Sequence, residues 1–227
     1  VKHSKQNQSI VDYTPIDITE NILLGGRDLV YLAGLQWNSI DDRSHHLLSY
    51  LAQTHRVFFI AEPVLEFISS WWLEIRRDEC GVWVVVAHLP DWVSEALVSA
   101  MHHSLIDELI EKYAIDNPIL WYCTPAALPF TRHVKSAAIV YDCVNERPDE
   151  ATSSILQELE QQLLNQAHLV LFKERNLYKS TQHSNVYIFS NSGNQTWNEM
   201  NEFIEAAIAN VQTADCSKDY CPISKQV

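Results

Sequence analysis

The strongest constraint on this chain is a series of short runs that are apolar from end to end and separated by stretches with helical spacing. Residues 28–34, 56–61, 118–123, 137–142, 168–172 and 185–189 show no apolar/polar alternation. A strand with one wet face alternates, whereas a strand apolar throughout is covered on both faces. Between these runs, residues 43–54 place Leu47, Leu48, Leu51 and Ala52 on one side. Residues 93–113 carry Val93, Ala96, Leu97, Ala100, Met101, Leu105, Leu109, Ile110 and Tyr113 as a stripe. Residues 152–166 and 196–211 have similar stripes, the latter through Trp197, Met200, Ile204, Ala207 and Val211. Residues 74–77 and 81–88 read as a hairpin about Asp78-Glu-Cys-Gly81. Buried strands alternating with amphipathic helices predict an α/β fold: a Rossmann-like, doubly wound parallel sheet with helices on both faces.

The predicted organisation is a flexible leader over 1–27, the α/β domain over 28–192, a helix over 193–211 packing back on it, and a polar tail over 212–227. With 227 residues, 47% of them hydrophobic, the chain has material for a sizeable core. Its formal net charge of −13 repels phosphate backbones, so nucleic acid is not expected as a partner. No window approaches the roughly 18 apolar residues of a membrane span, and residues 1–9 lack the apolar core of a signal peptide. Of the Cys residues, Cys80, Cys123 and Cys143 sit in or just after strand-like runs, and only Cys216 and Cys221 resemble a pair. A reducing, cytoplasmic setting is expected, with peripheral contact to an inner membrane left open.

Several chemistries are missing by motif. After the first strand Gly34 stands alone, without the glycine pattern that lets a backbone approach a pyrophosphate. No Gly-Lys-Ser/Thr and no Gly-x-Ser-x-Gly occurs. His45-His46 and His102-His103 are adjacent pairs whose side chains diverge on a helix. They chelate poorly, and one of each pair is expected to pack while the other faces solvent. Neither a metal nor a cofactor is expected. Ligands of doubly wound sheets sit beyond the carboxyl ends of the strands. That rule selects Trp37, Glu62, Thr124, Asp142, Asn145, Glu146, Lys173 and Arg175 as segments to watch. Asp142, closing a buried strand, suits a base or a hydroxyl-orienting group, or equally a turn cap.

Asp28-Leu-Val-Tyr-Leu-Ala-Gly-Leu-Gln-Trp37, Asp42-Arg-Ser-His-His-Leu-Leu48 and Arg56-Val-Phe-Phe-Ile-Ala-Glu-Pro63 resemble the opening of a bacterial glycosyltransferase family of the GT-B fold, of the teichuronic-acid biosynthesis type. Leu120-Trp-Tyr-Cys-Thr-Pro-Ala-Ala-Leu-Pro-Phe130 and Val140-Tyr-Asp-Cys-Val-Asn-Glu146 resemble its next two signatures. Glu160, Leu163-Leu164 and Ala167-His-Leu-Val170 resemble the helix and strand after them. The resemblance covers about residues 28–190. The family usually reads Arg-Pro-Gln-His where this chain has Arg43-Ser-His-His46, and Asp where Asn145 and His168 stand.

The resemblance implies the acceptor-side, N-terminal half of a GT-B fold. After the sixth strand the sequence passes to a stretch similar to the family's final helix, so the half that holds the donor is expected to be missing. A complete enzyme would move a sugar from a nucleotide sugar to a glycan or lipid-linked acceptor of a cell-surface polysaccharide. By the same resemblance His46 or Asp142 would orient or deprotonate the acceptor hydroxyl, and Arg43 would meet an anionic group. Trp37, Thr124, Asn145 and Glu146 would line the substrate cleft. Retaining members carry two Glu at a spacing that Glu66/Glu74 and Glu150/Glu158 share, but both pairs are read here as solvated charges. The alternative is a non-catalytic glycan- or protein-binding module. In either case Trp37, Thr124-Pro125 and Asn145-Glu146 are expected to border an exposed, partly apolar concavity at the carboxyl end of the sheet, open to self-association or a protein partner, unless the loop Glu62–Leu73 with Trp71 and Trp72 folds over it.

Overall fold

The computed structural model describes residues 9–12, 27–143, 154–172 and 186–188, with single helical positions at Glu202 and Ala206. In chain order the strands are β1 (Ser9–Asp12), β2 (Leu29–Leu32), β3 (Val57–Ile60), β4 (Val64–Glu66), β5 (Trp72–Arg77), β6 (Trp83–Pro90), β7 (Ile119–Tyr122), β8 (Ala138–Cys143), β9 (Leu169–Phe172) and β10 (Val186–Ile188). The helices are α1 (Asp42–Leu51), α2 (Glu95–Lys112), α3 (Leu128–Thr131) and α4 (Ser154–Gln166). All strands join one sheet in the order β1-β5-β6-β3-β2-β7-β8-β9-β10, with β4 on the far end of β6.

From β6 across to β10 the pairing is parallel throughout, as the uniformly apolar runs require. The central strand β2 is buried along its whole length. Leu29 stands level with Val57 and Ile119, and Leu32 with Ile60 and Tyr122. At the amino ends, Arg56 donates to both carboxylate oxygens of Asp28, at 2.8 and 2.7 Å, with both side chains buried. The pair thus ties the starts of β2 and β3 together.

Helices cover both faces. On one, α1 sets Leu47, Leu48 and Leu51 against a core containing Tyr31, Phe59 and Trp121. Asp41 caps this helix by accepting the Ser44 N–H at 2.8 Å. On the other face, Met101, Leu105 and Leu109 of α2 and Leu163 of α4 share a core with Phe58, Ile60, Tyr122 and Tyr141. The architecture is the doubly wound, Rossmann-like α/β fold read from the sequence.

The expected hairpin is present, and other details depart from that reading. The sheet is not wholly parallel: β5 runs against β6 through the expected turn, where Gly81 takes φ +92°. The leader contains a strand, since β1 pairs with β5 from Ser9↔Trp72 to Asp12↔Ile75. Short β4 lies beside the end of β6, with Val64 opposite His88. The expected α2 stripe is buried from Met101 through Leu105 and Leu109 to Tyr113, but its first turns are not. Met101, His102, Leu105, Ile106 and Leu109 are inside, while Ala96, Leu97 and Ala100 are exposed. Around these first turns Val93, just before the helix, and Val98 pack against the core. The helix expected over 174–180 lies outside the described residues. So does that over 196–211 apart from Glu202 and Ala206, both helical and exposed.

Candidate functional site

The direction of winding reverses at β2, with β3 and β6 on one side and β7 to β10 on the other. Loops leaving β2 and β7 therefore diverge, and a crevice opens beyond their carboxyl ends. Gly34 follows β2 at φ +65°, a conformation that L side chains rarely adopt. A Cβ there would lie 2.7 Å from Cγ2 of Thr124, the residue beginning the turn after β7. The close approach that glycine permits is used here by the Thr124 side chain. Thr124 also accepts the Ala126 N–H at 3.3 Å and caps the turn leading into α3.

Beside this contact lies a cavity of about 580 Å³. Leu32 and Ile60 form its floor, and Val98, Phe130, Leu156 and Leu159 its walls. Glu62, Glu95, Ser99, His102 and Thr124 supply polar groups, and neither Lys nor Arg is among the described lining residues. Near these walls Leu65, Trp92 and Leu97 are 54%, 63% and 45% exposed. A partly apolar concavity is thus present at this end of the sheet; of the residues expected to border it, Thr124 does, and Trp37 and Pro125 are not among the described lining residues.

His102 is the polar lining group that the sequence stripe omits. It is buried, its ring stacks on Phe130 with centroids 3.9 Å apart, and Nε2 has no hydrogen-bond partner in the protein. Burial pulls its pKa down to about 4, so it is neutral near pH 7. A neutral imidazole offers one donor and one acceptor to a ligand. The signal available beforehand was the His102-His103 pair on one helix: His102 packs and His103 faces solvent, as expected. The other pair follows suit, since His46 is exposed and His45 is half-buried against Trp37, with ring centroids 4.8 Å apart.

The residues singled out from the sequence divide between the two faces. Thr124 lines the cavity. Asp142, buried at the end of β8, continues the Ala138 and Val140 side of that strand, which belongs to the α1 face. There it meets Tyr31 and Cys123. Burial, then Cys123 and Asp142, raise the Tyr31 pKa well above its ordinary value. Burial, then Asp142, do the same to the Cys123 thiol, while the charge of Arg43 counteracts them. Arg43 and Asp142 are thus brought together around Cys123, behind the sheet rather than in the cavity. Among the described lining residues of the cavity, neither His46 nor Asp142 occurs.

Trp37 is 6% exposed and packs edge-on to Phe59, at 4.9 Å between centroids. Its indole N–H donates to Asp78 at 3.0 Å. Burial pushes the Asp78 pKa up, but hydrogen bonds from Cys80 and Trp37 outweigh it and leave the value below the usual carboxylate level. Asn145 and Glu146 lie outside the described residues. Glu66 and Glu74 are not simply solvated: His88 places Nδ1 on Glu66 and Nε2 3.3 Å from Glu74, and its ring stacks on Trp72. Among the described residues no helix is long and apolar enough to cross a membrane.

The fold and this cavity define a Rossmann-like α/β domain with a ligand-sized crevice at its switch point. Neither a scan of protein-family models nor a search of curated proteins returns a match to the chain.

Proposed function

We propose that this chain is an acceptor-side domain of the GT-B glycosyltransferase type, and that the switch-point cavity receives the glycan or lipid-linked acceptor. The observation that carries the reading is the chemistry of the lining. Apolar walls surround carboxylates at Glu62 and Glu95, hydroxyls at Ser99 and Thr124, and the neutral imidazole of His102, with no Lys or Arg among the described lining residues. Carboxylates and a neutral imidazole accept hydroxyl hydrogens, and apolar walls suit the carbon faces of a sugar or an alkyl aglycone. The same lining repels a diphosphate, and Thr124 fills the space above Gly34. Nucleotide-sugar binding therefore belongs to another domain or partner, and this chain alone binds acceptor without turnover.

The test is calorimetric titration of the full chain with octyl glucoside below its micelle concentration and, separately, with UDP-glucose. The glycoside binds, and Val98→Trp, which fills the cavity, weakens it at least about tenfold, or 1.4 kcal/mol. Tighter binding of UDP-glucose than of the glycoside, or glycoside binding unchanged by Val98→Trp, overturns the reading.

A further inference from the structure

His103 and Asp107 sit one turn apart on α2, where side chains share a face. His133, just beyond α3, comes to meet them. The two imidazole rings lie parallel, 3.6 Å between centroids and 10° between planes. Asp107 joins them through its carboxylate: Oδ1 lies 2.7 Å from Nε2 of His133, and Oδ2 lies 3.5 Å from Nε2 of His103. One ligand atom from each residue can be chosen so that all lie within 4.8 Å of one another. All these side chains retain solvent contact, with Asp107 the most exposed at 54%.

We propose that His103, Asp107 and His133 form a binding site for a first-row divalent transition-metal ion of the zinc kind. Two imidazole nitrogens with one carboxylate is a borderline donor set that favours such ions. Mg²⁺ and Ca²⁺ are held by oxygen ligands instead. Bonds of about 2.0–2.2 Å in tetrahedral geometry put ligand atoms roughly 3.3 Å apart. Closing the cluster to that spacing takes rotation of these solvent-contacting side chains, which tilts the stacked rings so that both Nε2 lone pairs converge on the ion. Solvent supplies the remaining ligand. Coordination uses the Nε2 lone pairs, so each ring carries its proton on Nδ1 in the bound form.

The site has a structural consequence. Inside the fold, His102 stacks on Phe130; outside, the next His stacks on His133, so both stacks join α2 to the same short segment. That segment and α2 are walls of the cavity. A bound ion pins the two walls together, independently of what the cavity receives.

The experiment uses the full chain, stripped by chelation and titrated with Zn²⁺ by calorimetry and with Co²⁺ by its visible absorption. One equivalent binds through this site, and Zn²⁺ raises the melting temperature. His103→Ala and His133→Ala, at solvent-accessible positions, each weaken that equivalent at least about tenfold, the scale on which even outer-shell partners act. Metal-free melting curves of the variants verify folding. The double variant loses both the equivalent and the thermal shift, whatever Cys216, Cys221 and the other His residues bind. Full retention of either in the double variant, or Mg²⁺ competing with Zn²⁺ at equal concentration, overturns the proposal.

Discussion

Removing the Asp28 carboxylate tests the energetic logic of the sheet. Asp28→Ala leaves Arg56 buried and charged, without the acceptor that now receives Nε and Nη2. Breaking one side of a buried pair costs about 3–5 kcal/mol, because the surviving charge stays desolvated. At about 2–4 °C per kcal/mol for a domain of this size, the melting temperature falls by roughly 6–20 °C. The same pair replaced on both sides, Asp28→Leu with Arg56→Met, leaves no orphan charge and recovers most of the loss. Urea unfolding followed by tryptophan fluorescence gives both energies, with the midpoint moving at unchanged slope. The coupling between the two sites is then at least about 2 kcal/mol, above the usual scatter of additivity. The pair lies at the amino ends of the strands, opposite the cavity, so ligand affinity of the folded variant is unchanged. A single-variant loss below about 1 kcal/mol, or a double variant as unstable as the sum of the singles, refutes the reasoning.

Further expectations concern the carboxyl end. Gly34→Ala costs at least about 1–2 kcal/mol from its left-handed φ, and more from the 2.7 Å approach to Thr124; adding Thr124→Ser, which removes Cγ2, returns the second part in thermal melts. His102 has a lowered pKa when folded, so the unfolded chain takes up its proton first as pH falls. Its contribution is intact above about pH 6.5 and is lost progressively toward pH 4, by about 3 kcal/mol in all. His102→Leu therefore flattens stability across that window, and an unchanged pH slope would count against a buried, neutral histidine. Finally, the purified chain does not hydrolyse or transfer from UDP-glucose or UDP-glucuronate; turnover above background in a coupled UDP-release assay would contradict the acceptor-side reading.

The sheet was legible because strands buried on both faces leave a signature that needs no partner to interpret. The run 29–32 reads as a strand from its side chains alone, and so do 57–60 and 119–122. β1 and β4 were not legible: each is short, and each exists because another strand offers a free edge or a free end. In α2 the expected stripe held from Met101 through Leu105 and Leu109 to Tyr113 and failed at Ala96, Leu97 and Ala100. Hydropathy ranks Leu97 as core, yet it is 45% exposed, while His102 is buried against Phe130. Thr124 was found by the strand-end rule, which also selected Asp142. That rule gives the end of the sheet but not the face, and residues adjacent along a strand point to opposite faces. The His103–Asp107–His133 cluster was invisible because His133 follows a short helix whose packing on α2 no spacing encodes.

The pairing of β1 with β5 bears on how this polypeptide is handled. Strand β5 has one hydrogen-bonding side on β6, and the other is closed by only four residues, Ser9–Asp12. Ser9 pairs with Trp72, so the closure is made by a part of the chain distant in sequence. Trimming to residue 27, a natural choice when only the main run of strands is considered, would unfasten it and leave a free backbone ladder along Trp72–Arg77. Such an edge recruits whatever extended strand is at hand, and in a concentrated preparation that is the same segment of a neighbouring molecule.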